Sequence, residues 1–368
     1  MSKKTIVFCA DGTWNGPEKD EAADRQSDPT NVFKLFTGLA GINSPQSIRE
    51  ADEQEKELKE AGTVAQVAKY IHGVGDSRNP IHKLMGGAFG AGTIKRIVRG
   101  YTFVSRNYEP GDDIVLVGFS RGAYTARALA GLIASQGLLV KRLTDDKEQA
   151  YRSGARAWYQ YRKQAGEKGG FLTKLVQVAA DLPAFISRDA LGKDELVPVD
   201  FIQAVAVWDT VGALGLPNYM DDGRADAFKF ADRTLSDKVR NGFHAVARDE
   251  QRLDFTPTLW DKADRIKQVL FPGAHADVGG GYTTKNAESG LSDIALEWMV
   301  KQLNDKSVGV RFSHPVYDPL APDPNGKAHR PWEEPPFNLL KPTPRDFSQA
   351  WIVEHETIAQ RAARLGAQ

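Results

Sequence analysis

Short apolar runs rich in β-branched residues alternate along this chain with longer stretches of helical spacing. Residues 5–10 predict a buried strand, ended by Asp11-Gly12. Residues 26–44 hold a capped helix, with Asp28-Pro29-Thr30 ahead of Val32, Phe33, Leu35, Phe36 and Leu39. Residues 48–61 are charge-rich without an apolar stripe and read as a surface excursion. A second strand covers 64–72, and 86–93 is a glycine-rich loop. Residues 93–108 are helical by pattern, with Ile94, Ile97, Val98, Tyr101, Phe103 and Val104 inward. The strongest strand, D-I-V-L-V-G, spans 113–118 and runs toward an alanine- and leucine-rich helix at 123–136.

Residues 141–196 interrupt the alternation. They are polar and helical at first, then more apolar, and read as a helical cap inserted into a core made of 1–140 and 197–368. A strand at 199–208 ends in Asp209, residues 231–247 read as a helix, and a strand at 266–271 leads to Pro-Gly-Ala-His275. A helix at 291–303 is followed by a proline-rich wrap to about residue 345 and a last helix within 347–365. Strands and helices in alternation predict an α/β fold, with a mostly parallel central sheet covered on both faces.

Composition narrows the picture. Lysine plus arginine and aspartate plus glutamate number 48 each, so no net field attracts nucleic acid or an anionic membrane, and no nucleic-acid partner is expected. The single cysteine, Cys9, allows no intrachain disulfide. The apolar run after the first residues is too short for a signal peptide, and no stretch approaches the roughly 20 apolar residues of a membrane span. We expect a protein made in the cytoplasm, whose export would need an apparatus that reads no signal peptide.

Gly118-Phe119-Ser120-Arg121-Gly122 fits G-x-S-x-G between a predicted strand and a predicted helix, the setting of a nucleophile elbow. A serine on such a strained turn exposes Oγ, and the following helix N-terminus favours negative charge there. In α/β-hydrolases the acid and the histidine follow the serine in that order. Asp209 and His275 follow Ser120, each after a strand, where sheet C-termini open onto a crevice. His72 and His82 precede Ser120, His244 lies in a predicted helix, and His314, His329 and His355 lie in or beyond the proline-rich region. His275 stands among Gly273, Gly279, Gly280 and Gly281. Asp277 is the rival acid, although a carboxylate there more easily ties down its own loop; Asp11 is a further loop anchor or second acid.

An oxyanion needs two N–H donors. Arg121 supplies one by its place after the nucleophile, and Gly12 or Thr13 is the candidate for the other. The loop Y-I-H-G-V-G at 70–75 is a second source. D-G-T after a strand is also found in haloacid-dehalogenase phosphatases, but their nucleophile position holds Cys9 here. No phosphate loop or dinucleotide fingerprint appears. His275, Asp277 and Asp11 lack a further histidine or cysteine at ligand spacing, so neither metal nor cofactor is expected. Residues 171–186 read either as an amphipathic lid in peripheral contact with lipid or, more commonly for such segments, as a cap helix packed on its own domain.

Six blocks in order resemble a known family: F-C-A-D-G-T-W-N at 8–15, Y-I-H-G-V-G at 70–75, G-F-S-R-G-A-Y-T-A-R at 118–127, V-W-D-T-V-G-A-L-G at 207–215, H-A-V-A-R-D-E at 244–250 and F-P-G-A-H-A-D-V-G-G-G-Y at 271–282. The family is the α/β-hydrolase domain of bacterial type VI secretion phospholipase effectors and their bacterial and fungal relatives. The resemblance implies a Ser–Asp–His triad at Ser120, Asp209 and His275, hydrolysis of carboxylic or phospholipid acyl esters, and, for an effector, a secretion-system or immunity partner. The long C-terminal membrane-anchoring region of the larger effectors is not in these 368 residues. The expectation is a serine esterase or lipase; the competing expectation is a non-catalytic binding module that keeps the elbow as scaffold.

Overall fold

A computed structural model of the protein describes residues 3–12, 28–44, 53–73, 88–164, 190–212, 233–313, 320–335 and 337–365. The strands are β1 (Thr5–Ala10), β2 (Ile42–Asn43), β3 (Glu53–Glu60), β4 (Thr63–Ile71), β5 (Asp113–Phe119), β6 (Leu138–Leu139), β7 (Leu196–Val197), β8 (Ala204–Trp208), β9 (Gly242–Ala247), β10 (Ile266–Phe271) and β11 (Val353–Glu354). The α-helices are α1 (Asn31–Gly38), α2 (Ala88–Asn107), α3 (Arg121–Gln136), α4 (Lys147–Gln164), α5 (His275–Gly279), α6 (Gly290–Asn304) and α7 (Glu356–Leu365).

Among the described residues one large sheet has the order β11-β10-β9-β8-β5-β1-β4-β3-β2. It is parallel from β11 to β4, and β3 and β2 add an antiparallel edge. The central strands are apolar without alternation because both faces are buried. Ile6, Phe8, Ile114, Leu116, Val205 and Val207 join α2, α3 and α4 in one core layer. Val7, Cys9, Val115, Val117, Ala206 and Trp208 join α1 and α6 in the other. The architecture is that of an α/β-hydrolase, a mostly parallel central sheet with helices on both faces.

Several elements differ from the sequence-based expectation. Residues 48–61 hold β3, next to the short edge strand β2, and its pairing with β4 needs no apolar stripe. Its Glu53 and Glu55 carboxylates pair with Lys69, and also with Arg99 and Arg106 on α2. All of the expected glycine loop from Ala88 onward is already helix α2. Within the helix expected at 231–247, the described residues from 233 on are not helical: Gly242–Ala247 is β9, buried on both faces, so no period marks it, and the ladders to β8 and β10 decide its form. Val353–Glu354 pairs with β10 before the last helix begins at Glu356.

A short ladder between β6 and β7 closes the chain segment that runs from one to the other. Within it α4 packs on α2, where Gly154 faces Val98, Tyr101 and Thr102. The apolar stretch 171–186 lies outside the described residues. No described helix is long and apolar enough to cross a membrane.

Candidate active site

β1 is flanked by β4 on one side and β5 on the other, so the strand order reverses beside β1. Crevices at such reversals, beyond the strand C-termini, are where ligands bind in open α/β sheets. Ser120 follows β5 at this edge, and Gly12 follows β1.

The backbone at Ser120 has φ 56° and ψ −122°, a conformation rarely adopted by residues with side chains. It is held by Ser120 N–H donating to Trp208 O at 3.1 Å, and by α3 starting at the next residue. The turn is closed by close packing. A Cβ on Gly118 would lie 2.3 Å from Gly122 O, and one on Gly122 would lie 2.0 Å from Ala10 O. Ser120 Oγ makes no capping bond to α3, and the residue is 4 % exposed.

Phe119 pairs with Trp208 across the β5–β8 ladder, so Asp209 leaves the sheet beside Ser120. Asp209 is also left-handed, with φ 35°, and its N–H donates to Ala245 O. Its carboxylate is wholly buried and reaches over β9. There Oδ1 accepts from Ala247 N–H at 3.0 Å, and Oδ2 lies 2.5 Å from His275 Nδ1. The carboxylate accepts, so the shared proton is on Nδ1 and the free lone pair of the ring is on Nε2.

His275 opens α5 just after β10. Its ring lies between Phe119, at 4.6 Å between centroids, and Phe255, at 4.9 Å and edge-on. Its N–H donates to Glu250 Oε2, whose carboxylate also takes a two-pronged bond from Arg252. Burial pushes the His275 imidazole below its ordinary pKa, against the opposing pull of Asp209. Burial would raise the Asp209 carboxyl, yet Arg345 and the His275 hydrogen bond hold it well below the usual carboxylate range.

Gly279 packs against the back of Phe119, where an added Cβ would sit 1.9 Å from the ring. We expect Gly279→Ala to lower stability by about 1–3 kcal/mol, the usual scale of overpacking. Denaturant unfolding checks this; an unchanged midpoint would mean that Phe119 moves aside without cost.

Asp277 faces away from this pair. Its Oδ2 accepts from Ala274 N–H and His329 N–H, both at 2.9 Å, and its Oδ1 lies 2.6 Å from His329 Nδ1. It ties the 273–282 loop to the C-terminal wrap. Asp11 is buried beneath the elbow and accepts from Thr30 Oγ1, Tyr70 Oη and Gly12 N–H. Burial lifts its pKa to about 6. Thr13 lies outside the described residues. Burial, with nearby Arg96, lowers the Arg121 side chain to about 9. His244, expected in a helix, is on β9 and is taken up by structure: Nε2 accepts from Thr210 N–H and Nδ1 faces Gln268.

Sequence reasoning missed Arg345. Its guanidinium grips Asp209 with both nitrogens, 2.7 Å from Nη1 to Oδ1 and 2.9 Å from Nη2 to Oδ2. A lone arginine in a proline-rich wrap carries no local mark of such a role; the preceding Pro344 only favours extended backbone at Thr343.

Residues 4–302 match the family described as "T6SS, Phospholipase effector Tle1-like, catalytic domain". The chain belongs to this family. It is 27 % identical over 335 residues to the Saccharomyces cerevisiae protein named "Uncharacterized protein YEL023C", covering 89 % of this chain and 42 % of that one. It is also similar to the crystal structure of an uncharacterized protein from Pseudomonas aeruginosa, with TM-score 0.49, 18 % identity and coverage of 88 % of this chain and 49 % of the other. A second similar structure is that of the Tle1 effector bound to the VgrG spike of the type VI secretion system. Its TM-score is 0.41 at 20 % identity, covering 78 % of this chain and 52 % of that one. The chain thus spans about half the length of these relatives, or less. Among the described residues no group of three His, Cys, Asp or Glu side chains is placed to hold a metal ion.

Proposed function

We propose that this Tle1-like catalytic domain is a serine hydrolase that cleaves the acyl ester of a lipid or phospholipid through Ser120, Asp209 and His275. The observation that carries the reading is the buried 2.5 Å Asp209–His275 contact one strand away from a strained serine elbow. Ser120 Oγ attacks the ester carbonyl while His275 Nε2 takes its proton. Arg121 N–H holds the oxyanion with Gly12 or Thr13; Gly12 N–H, now bonded to Asp11 Oδ1 at 2.7 Å, exchanges that bond in its version of the step. His275 then protonates the leaving alcohol, and water, activated by the same ring, releases the acid. Asp209 holds the imidazole in its productive tautomer and stabilises the imidazolium. The insertion at 141–196 is the cap in this reading, and an effector of this family would leave the cell through type VI secretion.

The test pairs fluorophosphonate labelling with a substrate panel from short nitrophenyl esters to phospholipid vesicles. Labelling confined to Ser120 and acyl-ester turnover are expected. Because the base acts neutral and burial disfavours its charged form, the acid limb of kcat/KM should lie below the ordinary histidine value of about 6.5. An unlabelled wild-type protein without esterase activity would favour a non-catalytic binding module.

A further inference from the structure

Arg345 lies 43 residues past residue 302, where the family match ends. Residues around it are exposed, yet its own side chain is 5 % exposed. Both terminal nitrogens are spent on the site. Nη1 donates to Asp209 Oδ1 and Ala247 O, and Nη2 donates to Asp209 Oδ2 and Phe255 O. The segment that delivers it is fastened on both sides. Thr343 N–H donates to Gln251 O at 2.7 Å, Phe347 packs near Val246, Leu270 and Ile358, and β11 extends the sheet beyond β10.

Without the arginine, Ala247 N–H and His275 would each hold one oxygen of Asp209, and the carboxylate could turn about its last bond. A bidentate guanidinium fixes the carboxylate plane, because rotation would break two charge-assisted bonds. The plane of the carboxylate sets where Oδ2 meets Nδ1, and therefore how the imidazole is presented.

We propose that Arg345 is a positioning residue for the hydrolytic reaction, supplied from outside the matched catalytic segment, which orients His275 through Asp209. This inference rests on the Ser–Asp–His reading. The charged or titratable groups around the pair are Arg345 from the wrap, Glu250 and Arg252 from the loop after β9, and His244 on β9. Glu250 and Arg252 are bonded to each other, and burial keeps His244 neutral, with a pKa of about 3. Arg345 is thus the cation that offsets Asp209, and its loss leaves the full carboxylate charge to favour imidazolium.

The test is a kinetic series across pH on the full chain with a short soluble ester. Arg345→Gln should lower kcat by about 10- to 100-fold, the scale for a group that orients an active-site side chain. KM should change little, and the acid limb of kcat/KM should move to higher pH. Arg345→Lys keeps the charge without the fork, so its limb should stay near the wild-type position while kcat remains reduced. Guanidinium ion added to Arg345→Ala should recover part of the lost kcat. A structural arginine would instead lower the melting temperature of all three variants while the folded enzyme kept wild-type kcat and acid limb, and that result overturns the proposal. If Arg345→Gln does not fold, wild-type kcat in Arg345→Lys overturns it equally. Fluorophosphonate separates the two levels. Wild-type protein that is not labelled at Ser120 removes the triad reading and this inference together. Labelling of Arg345→Gln at the wild-type rate removes this inference alone.

Discussion

Ser120→Ala is expected to lower kcat for ester hydrolysis by about 10⁴- to 10⁶-fold and to leave the fold intact. The size of the loss follows from the role proposed for Oγ, since no other atom of the elbow can form the acyl-enzyme. The intact fold follows from the local structure. Ser120 Oγ makes no capping bond to α3, and the turn is held by the backbone bond to Trp208 and by the packing of Gly118 and Gly122. Alanine keeps the same Cβ in the same strained conformation. Steady-state kinetics and thermal unfolding of the purified variant check both halves. Retention of more than about a tenth of wild-type activity, far above any triad loss, would remove Ser120 from the nucleophile position.

Asp209→Asn should cost about 10⁴-fold in kcat, the scale seen when a triad carboxylate becomes an amide. The amide can present its NH₂ to Nδ1, which favours the tautomer with the proton on Nε2, where the free lone pair is needed. Stability should fall as well. Arg345 then faces a neutral partner in a buried setting, and breaking a buried pair costs about 3–5 kcal/mol. Asp277→Asn gives the contrast. Its carboxylate holds Ala274 N–H and His329, so its loss should loosen the 273–282 loop and lower the melting temperature with a far smaller effect on kcat. Measuring kcat below the unfolding range of both variants separates chemistry from folding. A larger kcat loss in Asp277→Asn than in Asp209→Asn would reverse the assignment of the acid.

Much of the architecture was legible in local pattern. The short runs at 5–10, 64–72, 113–118 and 266–271 read as strands, and the structure has a strand in each. A cap within Asp28-Pro29-Thr30 was readable ahead of α1, and it is Thr30 whose side chain accepts from Phe33 N–H. The serine between two glycines announced a turn that side chains would block, and the close approach of Gly122 to Ala10 O is the reason. Two errors share a cause. β3 and β9 take their form from neighbouring strands, which their own periodicity does not record: β3 because it is polar but for Leu58, β9 because it is buried throughout.

What the sequence by itself determined is the set of chemical groups and their order: a strained serine after one strand, an aspartate and a histidine after two later ones, in a chain without net charge. Strand–helix alternation and the elbow are local consequences of apolar period and glycine sterics, so they survive without knowledge of what lies opposite. Only the tertiary structure decided which carboxylate meets His275, since Asp277, two residues away, turns to His329 while Asp209 arrives over β9. It alone brought Arg345 to Asp209, across 136 residues of chain. The physical reason is that a buried carboxylate must find donors in space, and nothing in local spacing records where a distant segment will return to supply them.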